Sequence, residues 1–442
     1  MMKTKATQLY LSRIKPVSDK IPYFREFAGM MWRFLWWVNL SIKSIYDSID
    51  YKKIYWIAPK RIKLGLSREL LSSEKAGRKT FKENFRIRHS NRYVVNFEDK
   101  VVYQSFYEHF TKGKPWNKTE LYQRTKNILL KKNIVWRCSS MEDYHNRFKK
   151  LDKLYDEIKR NGVKTQKELN KETLLRENMI KEVKNEIIIY IGSDGELIHR
   201  NGQHRLSIAK LLNLDEVPVQ ILHRHKNWLK FRKEISTYIN KQLNGKALQP
   251  LLHPDLTHIP SIWSDKRFEL IKGKMNVKKG TLLDMNAHWG YFCHKFEDLG
   301  FQCTAMEKSK SNLYFMKKLK QAERLNFNIV EQSIFNGKEN NVSKEGLNVD
   351  ILLALNLFYQ ANSTIGDLNF KLKRILSMIK AKEIYFQIPQ QEGGVLKLYK
   401  NDGCNREGLV SKTLVDFVMN NSSYKNVEKI GEERNHEIFK IW

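Results

Sequence analysis

From Lys279 to the C-terminus, short apolar runs alternate with longer amphipathic stretches, and this alternation limits the fold more than any other feature of the chain. Thr281-Leu282-Leu283 leads to Asp284, Tyr291–Leu299 has helical spacing ended by Gly300, and Gln302–Met306 is a second strand ending at Glu307. A helix over Ser311–Ala322 follows, then strands at Phe327–Glu331 and Val349–Leu355 and a helix around Leu368–Ile379. A strand at Glu383–Ile388, a helix around Lys412–Met419 and a closing pair near Val427–Ile430 and Glu437–Ile441 complete the series. Strands that alternate with helices are joined by crossovers and run parallel, so the pattern predicts an α/β domain over 279–442. Helices cover both faces of its sheet, and the last two strands form an antiparallel edge.

The preceding stretch has a different texture. Glu186–Ile191 is a β-branched strand, Gly192-Ser193-Asp194-Gly195 a turn and Glu196–His199 a returning strand, which together predict a hairpin. His204–Leu212 has helical periodicity and Val217–Leu222 returns to strand. A small α+β domain over 181–250 is expected, with residues 251–278, flanked and punctuated by Pro250, Pro254 and Pro260, as a linker. Residues 1–180 read as a mainly helical, basic N-terminal region broken by the extended runs Tyr93–Phe97 and Val101–Tyr103. Within it, Met141–Arg160 places Tyr144, Phe148, Leu151, Leu154, Tyr155 and Ile158 at helical spacing, and Asn161-Gly162 supplies a stop.

With 442 residues, 41% of them hydrophobic, the chain can bury two or three cores, which excludes a mainly disordered or fibrous protein. Its net charge of +32 is unevenly spread: residues 1–180 carry 40 basic and 19 acidic side chains, residues 281–442 carry 22 and 19. The surplus suits an anionic partner at the N-terminal half, such as nucleic acid, a phosphorylated glycan or a nucleotide; a solvated lysine surface without a particular partner is the alternative. Cys138, Cys293, Cys303 and Cys404 form neither a CxxC pair nor a regular framework, which fits a reducing, cytoplasmic setting. His199, His204, His223 and His225 lack the Cys or carboxylate that would complete a metal site, and none is expected. Phe27–Leu40 is the most apolar stretch, but Arg33 interrupts it short of the roughly 20 residues that span a bilayer. It is expected to pack against its own domain, with peripheral membrane contact near Trp36 as the alternative.

In a doubly wound sheet a nucleotide-like ligand lies at the carboxyl end of the first strand, and an acid closing the second strand holds its ribose. Asp284-Met285-Asn286-Ala287-His288-Trp289-Gly290 follows the first strand here, and Glu307 lies 23 residues beyond Asp284 at the end of the second. On these residues the stretch 279–442 resembles the class I S-adenosylmethionine-dependent methyltransferases that open LDxGxxxGYF, whose fold is a Rossmann-like seven-stranded sheet. The resemblance implies S-adenosyl-L-methionine as cofactor. Asp284, Asn286, Ala287 and Gly290 would form the turn around its methionine part, and Glu307 would accept from its ribose hydroxyls. The chain departs from the pattern at Asn286, which replaces the first glycine and tolerates positive φ, and at Gln332-Ser333, where many relatives carry an acid. After the fourth strand, Ala354–Gln360 lacks the Asp/Asn-Pro-Pro-aromatic signature of amino-methylating DNA enzymes. DNA bases are thereby disfavoured and oxygen acceptors stay open, with Tyr359 and His288 as candidate general bases.

Gly202-Gln203-His204-Arg205 opens a helix, so backbone N–H groups and the Arg205 guanidinium can converge on an anion. The stretch Asp194–His225 resembles the ParB/sulfiredoxin superfamily in its order of DG, GxHR, IAKLL and VPV. The resemblance implies phosphate contacts from Gly202, His204 and Arg205. Gln203 replaces both the reactive Cys of sulfiredoxins and the Glu of the partition proteins, so neither sulfinic-acid chemistry nor their nucleotide hydrolysis is expected. The expected protein is a methyltransferase with an accessory nucleotide- or phosphate-binding domain; the alternative is a non-enzymatic nucleotide- or nucleic-acid-binding protein on a degenerate methyltransferase fold.

Overall fold

The computed structural model describes residues 50, 53–67, 94–132, 135–136, 138–165, 168, 186–332, 347–355, 373, 376–389 and 416–442. Phe27–Leu40 with Trp36, Ser333 and Tyr359 lie outside these residues, as does most of the helix expected around Leu368–Ile379. The chain divides into two compact units, one ending at Lys230 and one beginning at Phe231.

In the first unit six strands make one mixed sheet: β1 (Ile54–Ile57), β2 (Leu64–Leu66), β3 (Val94–Asn96), β4 (Ile187–Ile191), β5 (Leu197–Asn201) and β6 (Val217–Arg224). Their order is β1-β6-β4-β5-β2-β3. β4 and β5 are the expected hairpin, with Ile191 opposite Leu197. β1, β2 and β3, read as part of a separate region, instead complete this sheet: β1 pairs antiparallel with β6, β2 parallel with β5 and β3 antiparallel with β2. Burial explains the recruitment. Ile187, Ile189 and Ile191 are fully buried, and the backbone of β5 and β6 would face open edges without neighbours.

The α-helices described in this unit include α1 (Val101–Phe106), α2 (Glu120–Lys132), α3 (Met141–Asn161) and α4 (Gln203–Leu211). The run Val101–Tyr103, read as extended, starts α1. Phe106 on that helix is buried against Trp116, and this packing overrides the strand preference of the two valines. α3 is the expected amphipathic helix; Ser140 accepts from the Asp143 N–H at 3.0 Å, and Gly162 ends it at φ 69°.

The division between the units falls inside α5 (Lys226–Gln242). The second unit adds α6 (Lys266–Lys274), α7 (Tyr291–Glu297) and α8 (Lys310–Glu323) to seven strands. These are β7 (Thr281–Met285), β8 (Gln302–Met306), β9 (Asn328–Val330), β10 (Leu347–Ala354), β11 (Ile379–Pro389), β12 (Val427–Glu433) and β13 (His436–Ile441). Their order, β12-β13-β11-β10-β7-β8-β9, is parallel throughout from β11 to β9. β13 runs antiparallel to both its neighbours, so the unit is a Rossmann-like seven-stranded sheet with the expected antiparallel edge. Successive residues of β7 enter different cores: Leu282 packs with Phe292, Ile351 and Tyr385 on one face, Leu283 with Leu352, Ile384 and Phe386 on the other.

The stretch 251–278, read as a linker, is part of this unit. Phe268, Ile271 and Met275 bury their side chains in the core beside Leu282 and Phe292. Among the described residues no helix is long and apolar enough to cross a membrane.

Gly202 joins β5 to α4 at φ 80°, and a Cβ there would meet the Ile187 Cα at 2.9 Å. Because backbone cannot swing aside, Gly202→Ala is expected to destabilise the first unit by about 1–3 kcal/mol, measured by chemical denaturation.

Candidate functional site

At the carboxyl end of β7 the chain reverses into α7 through three residues of positive φ: Asn286 at 58°, His288 at 54° and Gly290 at 83°. The turn is tied down by Ala287 N–H donating to Met306 O at 3.0 Å and Gly290 N–H donating to Ala287 O at 2.8 Å. Asn286 therefore takes up the left-handed conformation of the glycine it replaces, which a short polar side chain allows. Gly290 disfavours a side chain: φ 83° strains any L residue there, and a Cβ would lie tight against Phe327 Cζ at 3.1 Å and Met316 Cγ at 3.2 Å.

Glu307 sits at the end of β8, on the neighbouring strand, as its spacing from Asp284 predicts. Its Oε2 accepts from His288 N–H at 2.9 Å, and its Oε1 accepts from Lys308 and Ser309 N–H at 2.9 and 2.8 Å. A carboxylate has about four acceptor positions, so Oε2 keeps room for one further donor. Sequence reasoning assigned this side chain to the ribose alone; the structure adds the task of joining the two strand-end turns.

Asp284 lies beneath the turn. It is 2% exposed, and its Oδ2 has no hydrogen-bond partner. Burial pushes its carboxyl up to about 8; Arg267 pulls against this shift and Glu307 adds to it. Burial pulls His288 down to about 4, so its ring is neutral at pH 7 and only a weak base. The His288 ring lies over Trp289 with centroids 5.1 Å apart. Beside the turn, a cavity of about 30 Å³, room for a water, is lined by Gln249, His288, Trp289, His294, Lys320 and Glu323.

Arg267 escaped sequence reasoning because it stands in the stretch taken for a linker. Its guanidinium is packed over Trp263 at 4.2 Å and Phe292 at 5.4 Å, and Nη1 donates to Gln387 Oε1 at 3.0 Å. No local pattern marks it; an arginine next to Lys266 at a helix start reads as surface charge.

In the first unit, Gly202 and Arg205 come together at the start of α4 as expected. Arg205 Nη1 is buried without a hydrogen-bond partner, 3.9 Å from Glu186 Oε2. Burial lowers the Arg205 pKa and Glu186 opposes that shift. His204 is engaged differently from the expectation: its ring stacks on Phe106 at 5.4 Å, with Trp136 at its edge. Among the described residues no three His, Cys, Asp or Glu side chains converge as metal ligands would.

No protein-family profile matches the chain, and no curated protein matches it. Among solved structures, the bifunctional kinase-methyltransferase WbdD is 11% identical over 46% of this chain and 45% of that one, with a TM-score of 0.33. The N-methyltransferase NodS from Bradyrhizobium japonicum WM9 is 9% identical over 40% of this chain and 92% of that one, at 0.29. A methyltransferase from Pyrococcus furiosus is 13% identical over 48% and 96%, at 0.30. The chain thus spans about half the length of WbdD. The fold assignment rests on strand order and register, which do not depend on these similarities.

An acid whose pKa rises on folding holds its proton more tightly when folded. The Asp284 contribution therefore favours the folded state below its ordinary 3.8 and is lost as pH climbs through about 8. The loss amounts in full to something on the order of 5 kcal/mol. Asp284→Asn removes the titration, so stability should shift in favour of the variant, relative to wild type, between pH 5 and 8.5. Thermal unfolding of both proteins checks this; a constant difference contradicts it.

Proposed function

We propose that the second unit is an S-adenosylmethionine-dependent methyltransferase. The observation that carries this reading is the left-handed turn Asn286–Gly290 joined to Glu307 through the His288 N–H bond. The residues fit the cofactor in three respects. The turn survives without its first glycine, Glu307 Oε2 can take one hydroxyl, and the buried Asp284 Oδ2 has no hydrogen-bond partner within the chain. Asp284, Asn286, Ala287 and Gly290 would hold the methionine part and Glu307 the ribose.

When bound, the cofactor supplies an electrophilic methyl group. The chain's contribution is to position and to exclude water: the turn fixes the ligand's direction, and the buried floor of Asp284, Ala287 and Tyr291 keeps solvent out. His288 is disfavoured as general base because burial leaves it weakly basic. Tyr359 stays the other candidate, and an oxygen acceptor, such as a sugar hydroxyl or a carboxylate, remains the proposed substrate class.

For the first unit we propose a phosphate-bearing ligand, such as a nucleotide, at the ParB/sulfiredoxin-like turn, on the strength of the buried Arg205 Nη1 at the start of α4. Gly202 and Arg205 would make the contacts, with His204 supporting the turn through Phe106. The basic first half would recruit an anionic partner, and a reducing, cytoplasmic setting accords with the buried free thiols of Cys138, Cys293 and Cys303.

Isothermal titration should show wild type binding S-adenosylmethionine and its demethylated product, with Glu307→Ala at least about tenfold weaker, the loss of one charged hydrogen bond. Absence of binding by folded wild type sinks the methyltransferase reading. For the other unit, filter binding of labelled CTP should be lost in Arg205→Ala; undiminished retention would make Arg205 a structural cation only.

A further inference from the structure

In the first unit α1 continues into a single π-helical turn, Tyr107–Thr111, and backbone of this kind collects at functional positions. The turn closes with Lys112 N–H donating to Tyr107 O at 3.3 Å, Gly113 N–H to His109 O at 3.1 Å and Lys114 N–H to Glu108 O at 3.0 Å. His109 stands in its middle, and both ring nitrogens are engaged. Nδ1 lies 2.7 Å from Lys114 O, and Nε2 lies 3.1 Å from Asp152 Oδ1 on α3. A carbonyl and a carboxylate only accept, so the two contacts together require a hydrogen on each nitrogen, which the imidazolium alone carries. The same Asp152 Oδ1 accepts from Trp116 Nε1 at 2.7 Å, and the His109 ring is stacked on Trp116 with centroids 4.0 Å apart, a placement that favours a cation.

Charged and titratable groups face this ring from each element around it. α3 supplies Asp152, and its Tyr155 stacks on Phe110, whose ring meets His109 edge-on at 4.8 Å. Glu108 of the turn pairs with Lys114 at 2.9 Å, and Lys112 Nζ lies over the Tyr107 ring. A neutral His109 cannot keep both of its contacts: with the hydrogen on Nδ1, the Nε2 lone pair points at a carboxylate oxygen. We propose that His109 is a proton-operated clamp: as an imidazolium it closes the π-helical turn onto α3 through Asp152, and departure of its proton frees the turn from α3. The step moves one proton from Nε2 to water or buffer and leaves the Lys114 bond in place. Because the charged ring prefers the closed state, the clamp's contribution is full at pH 5.5, below the ordinary histidine value of about 6.5, and is lost as pH rises and the ring gives up its proton. Trp116 also meets the Phe106 ring at 5.5 Å, and Phe106 carries the His204 ring, so the clamp braces the aromatic cluster beside the start of α4.

NMR of the full chain, isotopically labelled in its histidine rings, reports the proton, with His109→Gln identifying the signals. Amide hydrogen exchange of Lys112, Gly113 and Lys114, corrected for the intrinsic rate at each pH, reports the turn. At pH 5.5 both ring nitrogens of His109 should carry hydrogen, and at pH 8.5 Nε2 should have lost its own. Over the same interval, protection of the three amides should fall about three- to tenfold, between the worth of an exposed ion pair and that of a charged hydrogen bond. Asp152→Asn keeps an oxygen for Trp116 and offers an amide N–H to a neutral Nε2, so its protection should change less than about twofold between those pH values. A ring that loses its proton while the protection holds overturns the proposal, as does a fall that persists in Asp152→Asn or a ring with one hydrogen at pH 5.5. Should Asp152→Asn not fold, wild type decides: a ring change and a protection loss that run together with pH support the clamp, and separation of the two removes it.

Discussion

The second unit depends on one carboxylate. Glu307 collects N–H groups from the turn after β7 and from the residues after β8, and so adds side-chain bonds to the backbone bonds Ala287 N–H to Met306 O and Glu307 N–H to Val330 O. Hydrogen bonds to a charged acceptor contribute roughly 1.5–3 kcal/mol each, more than the strain of about 1–2 kcal/mol at a non-glycine residue of positive φ. The His288 N–H can thus point at Glu307 with His288 itself at 54°, and that conformation delivers the chain to Gly290 and the start of α7.

Two carboxyl groups at neighbouring strand ends are given opposite characters by their surroundings. Glu307 accepts from three backbone N–H donors and organises the two turns; Asp284 Oδ2 has no hydrogen-bond partner, and burial pushes the Asp284 carboxyl up to about 8. Two residues that a motif would class together therefore differ in their hydrogen-bond surroundings.

The parts of this fold written in local pattern were legible. Alternation after Lys279 is a statement about neighbouring residues, and each parallel strand announces itself by its own apolar run. The 284–290 turn and Glu307 were found for the same reason, since the spacing of one βαβ unit fixes them. What escaped depends on distant partners. β1 finds its place only beside β6, more than 150 residues later, and nothing in Ile54–Ile57 encodes that neighbour. Arg267 looks like surface charge until α6 is packed against the sheet, and residues 251–278 look like a linker because their prolines hide Phe268 and Ile271. The ring of His204 was assigned to a ligand by a motif that carries no information about Phe106.

Each unit places a left-handed glycine directly before a helix, Gly202 before α4 and Gly290 before α7; a Cβ would meet backbone at the first and lie tight against side chains at the second. The chemistry around the two glycines differs. Near Gly202 the buried side-chain atoms without a hydrogen-bond partner include Arg205 Nη1 and, 3.9 Å from it, Glu186 Oε2; near Gly290 they include Asp284 Oδ2. The uneven charge of the chain follows the same division, with its surplus before residue 180 and near balance after 281. The surplus before residue 180 would add long-range attraction to any anion met by the first half of the chain, whereas a site in the nearly balanced second unit would rely on short-range contacts made after water is excluded.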